Sequence, residues 1–343
     1  MKKIGFIAIV FVLFTLFVAC EPASEKKAPA NKKVSVIATI YPQYDWLKNV
    51  IGERADAVDL KLLVKNGADL HSYQPSARDI AAIANADLVV YVGGESDRWI
   101  EKALAATPKE GRVALNLMKV LGDRVKEEEV VEGMQVEEET KDERRKTKES
   151  AEEHHEHGEA HAEEVENDEH IWLSLVAAKY LLSDIAIALA KIDTANAETY
   201  KTNATEYTVK LNELDDDYAG ALPNREVTIL FGDRFPFRYL VDDYGIKYYA
   251  AFAGCSAESE ASFETVTFLA NKMDSLALPA ILTIDGSDGK IARAILDASK
   301  KSKGAEILTL NSMQSVTDEQ IKAGADYLSI MRGNLEVLKK AIK

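Results

Sequence analysis

Apolar positions along the chain follow two rhythms that take turns. Val34 to Ile40 is a short aliphatic run that predicts a strand, and Gln43 to Ile51 repeats its apolar residues at helical spacing. The same pair recurs: Val58 to Leu63 and Leu88 to Val92 read as strands, and Ser76 to Asn85 as a helix opened by a serine cap. Trp99 to Ala106 and Val113 to Leu117 continue as helix and strand. Further on, Trp172 to Lys191 and Ala195 to Tyr218 predict two consecutive helices, punctuated by Ile192-Asp193-Thr194. Strands then return at Val227 to Phe231, Lys247 to Phe252, Ala280 to Ile284 and Ile307 to Leu310, with helices between them and a last helix over Asp318 to Ile342. Two strand–helix halves joined by a long helical stretch predict an α/β protein of two lobes. Ligands of such sheets sit beyond the carboxyl ends of the strands.

The first residues stand outside this pattern. Met1-Lys2-Lys3 is basic, and Ile4 to Ala19 is apolar without a charge. That length and those flanks describe a secretory signal rather than a permanent span. The run ends in Phe17-Val18-Ala19-Cys20, which resembles a bacterial lipoprotein cleavage site. The resemblance implies a signal over 1–19, a lipid on Cys20 and a mature chain outside the cytoplasm. Residues 20–33, rich in Ala, Pro, Lys and Glu, read as a flexible tether. With Cys20 given to lipid, Cys255 is the one remaining cysteine, so no intrachain disulfide is expected.

Charge divides the body again. Residues 123–169 carry 20 acidic and 7 basic residues, so most of the formal net charge of −15 lies there. With so few apolar residues the segment is expected to be a disordered insertion between an N-terminal lobe, 34–122, and the helices of 170–222 that lead to a C-terminal lobe, 223–343. The acidic balance excludes nucleic acid, whose phosphates demand a basic face.

Histidines carry the candidate chemistry. His154, His155, His157 and His161 lie within the acidic insertion, where imidazoles interleaved with carboxylates make a loose chelator for borderline metals such as zinc. The other two stand at element boundaries: His71 in Gly67-Ala68-Asp69-Leu70-His71-Ser72-Tyr73-Gln74-Pro75-Ser76, and His170 in Asp168-Glu169-His170-Ile171-Trp172-Leu173-Ser174.

These two segments, with a His- and acid-rich insertion before the second, resemble the zinc- and manganese-binding solute receptors of bacterial ABC importers across essentially the whole mature chain. The resemblance implies two α/β lobes bridged by a rigid long helix. It also implies a metal site in the cleft between the lobes, with His71 and His170 as ligands. The function it implies is extracytoplasmic capture of zinc, or alternatively manganese, by a monomer that delivers the ion to a membrane permease. In the second lobe this chain departs from the family. The family's third ligand position falls at Gly232 in Gly232-Asp233-Arg234-Phe235, and its fourth has Asn311 as nearest match. Asp233 is the charged candidate to replace the third, unless Arg234 or Arg238 pairs with it. Cys255 reads first as a small buried residue or relic and second as a thiolate donor. Two further functions compete: a surface adhesin or metal buffer without an importer, and a zinc enzyme, for which the chain lacks a His-Glu-x-x-His helix.

Overall fold

The computed structural model describes residues 33–135, 166–222, 227–256 and 260–342. The signal, Cys20 and its tether, and His154, His155, His157 and His161, lie outside the described residues. The first four strands are β1 (Val34–Ala38), β2 (Val58–Leu62), β3 (Leu88–Tyr91) and β4 (Val113–Asn116). They form a parallel sheet in the order β2-β1-β3-β4. The second set, β5 (Val227–Phe235), β6 (Ile246–Ala253), β7 (Ala280–Ile284) and β8 (Glu306–Leu310), repeats that topology as β6-β5-β7-β8. In each sheet the chain reverses direction across its first strand, which places a switch point between β1 and β3 and another between β5 and β7.

Helices follow in chain order as α1 (Tyr41–Ile51), α2 (Ala77–Asn85), α3 (Arg98–Ala106), α4 (Leu117–Leu121), α5 (Leu175–Ile192) and α6 (Ala197–Ala221). The second lobe adds α7 (Arg238–Tyr244), α8 (Phe263–Leu276), α9 (Lys290–Ala298), α10 (Asp318–Lys322) and α11 (Tyr327–Ala341). Side chains alternate across a strand, and the alternation sorts the core. Ile37, Val89 and Tyr91 point outward onto α2 and α3, and Leu230, Ala251 and Ile281 point outward onto α8 and α9. Their neighbours Val36, Ala38, Val90, Phe231 and Leu282 point inward, where both sheets join one continuous core with α1, α5, α6 and α11. The lobes thus share their inner core. Along α6, Tyr200, Ala204, Tyr207, Leu211, Leu214 and Tyr218 are buried at alternating steps of four and three, which lays one stripe along 25 residues, about 37 Å of helix.

Three features differ from the sequence reading. The last predicted helix is two: Gly324 at φ +93° ends the first, and Asp326 caps the second with its side chain on Ser329 N. Trp172 lies in a 3-10 turn, and α5 begins only after Ser174, whose hydroxyl accepts Ala177 N–H at 2.8 Å. The ends of the acidic segment are ordered. Glu127 pairs with Asn167, and Gln135 pairs with Phe252 on β6, so 125–135 lies against the edge of the second lobe. There Lys126 N donates to Tyr239 Oη at 3.0 Å, Met134 is buried, and Glu129 accepts from Arg238 and Tyr248. Charge alone suggested solvation, but the partners that order these residues come from distant strands.

Asp97, at the carboxyl end of β3, ties the first switch point together. It accepts Val92 N–H at 2.6 Å and the Thr39 hydroxyl at 3.3 Å, and is fully buried. Burial, reinforced by the nearby Glu169 carboxylate, pushes its pKa up to about 7. The folded chain therefore keeps a proton that the unfolded chain loses near the usual value of about 3.9. The sign follows: this group works against stability as pH rises from about 4 to about 7, by at most about 1.4 kcal/mol per pH unit, and its effect levels off above that. Denaturant unfolding across this window should show wild type losing ground to Asp97→Asn as pH rises. Parallel pH profiles for the two proteins would exclude an elevated Asp97.

Candidate metal site

The loops at the carboxyl ends of the strands in both sheets meet in a cleft of ≈ 620 Å³, lined by Asp69 and His71 on one side and by Asp233, Arg234, Asp285 and Gln314 on the other. His71 sits in a 3-10 turn, Leu70–Ser72, whose start is held by Asp69 Oδ1 accepting His71 N–H at 2.9 Å. His170 precedes the 3-10 turn of Trp172, is fully buried, and packs on the indole at a 5.2 Å centroid distance. Gly254 is what lets the second lobe approach this ring: a Cβ there would lie 3.0 Å from His170 Cε1 and 2.9 Å from Phe235 O.

Both imidazoles are oriented from behind. His170 Nδ1 lies 2.8 Å from Asp168 Oδ1, a carboxylate that only accepts, so the ring proton resides on Nδ1 and the Nε2 lone pair faces inward. His71 Nδ1 lies 2.7 Å from Ser96 Oγ, and Ser96 N–H is held at 2.8 Å by Glu169 Oε1. The two Nε2 atoms then stand 3.2 Å apart. Burial first, and then the neighbouring His170, lower the His71 pKa to about 3, against the pull of Asp69. The ring is therefore uncharged at neutral pH.

Two groups of the second lobe meet these nitrogens. Gln314 Nε2 is 2.9 Å from His71 Nε2 and 2.7 Å from His170 Nε2, so its amide donates one proton to each ring. Cys255 offers its thiol: the ligand atoms of His71, His170 and Cys255 all lie within 4.8 Å of one another. Its backbone N–H is anchored on Glu128 Oε1 at 3.1 Å, within the ordered root of the acidic segment. Burial pushes the thiol pKa well up, and the carboxylates of Glu128, Asp168 and Glu169 add to it. The 3.2 Å between the two Nε2 atoms is close to the about 3.3 Å that separates two nitrogens held about 2.0–2.1 Å from a tetrahedral zinc.

The candidates named from sequence sort as follows. His71 and His170 come together. Asp233 does not belong to the group that the two histidines form with Cys255. Its Oδ1 accepts Arg234 N–H at 2.9 Å and its Oδ2 is buried without a partner, although the residue lines the same cleft. Neither arginine pairs with it: Arg234 goes to Asp69, and Arg238 to Glu129 and Asp242. No side chain fits at Gly232 here, because a Cβ would meet the backbone of Ala292 in α9 at 2.5 Å. Asn311 shapes the turn that carries Gln314. Its Oδ1 accepts Met313 N–H at 2.8 Å and supports a left-handed Met313 at φ +60°, a conformation that costs a side-chain-bearing residue roughly 1–2 kcal/mol. Asp285 reinforces the turn by accepting from Ser312 Oγ and Ser315 Oγ, each at 2.7 Å. Gln314 was missed from sequence. No periodicity in the run Asn311-Ser312-Met313-Gln314-Ser315 marks it, because its orientation depends on the left-handed Met313.

Known proteins share this fold. The zinc-binding lipoprotein AdcA of Streptococcus pneumoniae is 31% identical over 341 residues, which is 99% of this chain and 61% of that protein. The high-affinity zinc uptake system protein ZnuA of Bacillus subtilis is 28% identical over 345 residues, covering 99% of this chain and 98% of that protein. Among solved structures, the Zn(II)-bound ZnuA-like domain of S. pneumoniae AdcA superposes with a TM-score of 0.66 at 26% identity, covering 90% of this chain and 99% of that domain. The chain spans 61% of the length of the streptococcal relatives it matches. The family described as zinc-uptake complex component A, periplasmic (ZnuA), matches residues 36–341. With two α/β lobes of repeated topology and a pair of histidines converging in the cleft between them, the chain belongs to the ZnuA family.

Proposed function

We propose that this protein captures a zinc ion outside the cytoplasm and delivers it to an ABC-type importer in the membrane, to which a lipid on Cys20 keeps it close. The convergence of His71, His170 and Cys255 on one point, with donors from both lobes, carries this reading. The donor set argues for the metal. Two imidazoles and a thiolate suit zinc, whereas manganese prefers carboxylate, carbonyl and water oxygens. Gln314 takes the fourth place: a half-turn of its amide presents Oε1 to the ion where Nε2 now faces the rings. A hydrolytic zinc keeps that place for water, so the arrangement supports capture without chemistry. The relatives named for zinc uptake and zinc binding support the same cargo. The loop histidines His154, His155, His157 and His161 would add weaker sites that gather cations near the cleft.

Calorimetric titration should show one tight zinc that His71→Ala and His170→Ala abolish. Cys255→Ser should weaken it by at least about tenfold, 1.4 kcal/mol. Asp233→Ala should matter less. Collapse in Asp233→Ala with full affinity in Cys255→Ser would transfer the second-lobe donor to the aspartate. Manganese bound as tightly as zinc would sink the choice of cargo.

Binding should also release a proton. Zinc takes Cys255 as the thiolate, and burial holds the free thiol protonated at neutral pH. His71, already neutral, contributes none in this range. The logarithm of the zinc association constant should therefore rise by about one per pH unit between about pH 6 and 8. Titration in buffers of different ionisation enthalpy measures the proton count. A slope unchanged in Cys255→Ser would show that the thiol is not the group that ionises.

A further inference from the structure

We propose that Arg234 is a positioning residue of this site, a cationic strut that sets the distance between the donors of the two lobes. This rests on the reading of His71, His170 and Cys255 as metal ligands. Arg234 Nη2 donates to Asp69 Oδ2 at 2.7 Å, and its Nη1 makes a longer bond of 3.5 Å to Ser256 O. The second oxygen of Asp69 accepts His71 N–H at 2.9 Å. One guanidinium therefore links the backbone of the His71 turn in the first lobe to the residue directly after Cys255 in the second.

The backbone of β5 is built to aim it. Pairing of β5 with β6 shifts register between Phe231 and Arg234, an irregularity that turns the strand end toward the cleft. Asp233 Oδ1 accepts Arg234 N–H at 2.9 Å at the same bend. The side chains of Arg234 and Asp69 are only 19% and 27% exposed, so water and salt screen the pair less than a surface pair. Arginine is required by shape: a planar fork reaches the carboxylate and the carbonyl together, whereas a lysine ammonium serves one point. An alternative role has the opposite sign. If Arg234 acted only as a positive charge near the ion, its removal would tighten binding.

The test uses the full chain with Zn(II), and with Co(II) as a spectroscopic probe of the thiolate bond. Arg234→Met and Arg234→Lys should each raise the zinc dissociation rate by about 10- to 100-fold. Both should also shift the sulfur-to-cobalt charge-transfer band, which a loss of global stability alone leaves in place. Asp69→Asn should give a similar loss, and Asp69→Asn/Arg234→Met no further one, because the two act as a unit. Should Arg234→Met fail to fold by circular dichroism, Arg234→Lys carries the test. Tighter zinc binding in Arg234→Met, or wild-type rate and spectrum in Arg234→Lys, overturns the proposal. His71→Ala and Cys255→Ser run alongside: normal zinc binding in these defeats the site itself. Their loss beside unaffected Arg234 variants defeats only the strut.

Discussion

Two imidazoles, His170 buried and His71 partly so, face each other with lone pair toward lone pair, their Nε2 atoms 3.2 Å apart, and the rest of the molecule is arranged around that contact. Two acceptors brought together out of water lose their hydration and gain nothing from each other, so the pairing is unfavourable unless a donor or a cation lies between them. The first lobe supplies the orientation through Asp168, Ser96 and Glu169, and it cannot supply the missing donor. The second lobe can, through the amide of Gln314 and the thiol of Cys255. The polarity of the site therefore makes each lobe incomplete without the other.

That dependence bears on how an ion leaves. The inner faces of both sheets belong to one core with α1, α5, α6 and α11, and the buried stripe of α6 runs through it. Separating the lobes as rigid bodies would expose this core, with burial of each Leu or Ile contributing roughly 1.5–3 kcal/mol. The groups that close the cleft are cheaper to move. Arg234–Asp69 is one partly exposed ion pair, and Gln314 rides on a turn that already carries the strain of Met313. Opening is therefore expected in the loops at the strand ends, with the shared core intact.

Most of the fold was legible in the sequence because strands and helices are local. Runs such as Leu88 to Val92 and Ala280 to Ile284 appear where their periodicity put them, and a serine cap marked the start of α2. His71 and His170 were legible for the same reason, each inside a short segment at an element boundary. The second-lobe residues were not, because the backbone that carries them is irregular. The register of β5 shifts between Phe231 and Arg234, and Arg234 reaches across to Asp69. A left-handed Met313 precedes Gln314, whose amide meets the histidine rings. Counting along a regular strand or turn cannot anticipate an irregular backbone. The order in residues 125–135 escaped notice because its partners, Phe252 and Tyr239, lie more than a hundred positions away.

The proposed donor set separates two demands that the proposed role must reconcile, choosing an ion and giving it up. Selectivity comes from softness: a thiolate and two imidazoles favour zinc over the harder ions that carboxylates take. Tightness depends also on charge, and here the direct ligands are few in charge. In the proposed set, two neutral rings, one thiolate and one neutral amide would leave a divalent ion with one positive charge uncompensated. Arg234 is paired with Asp69, so the two together bring no net charge to the site. The carboxylates stand one layer back: Asp168 on the His170 ring, Glu128 on the Cys255 backbone, and Glu169 on Ser96 behind His71. A carboxylate in place of Gln314 would bring that negative charge into contact with the metal and deepen the well. Placing it behind the proposed ligands would keep the site selective through chemistry and moderate in its hold through electrostatics, which suits the proposed capture and release.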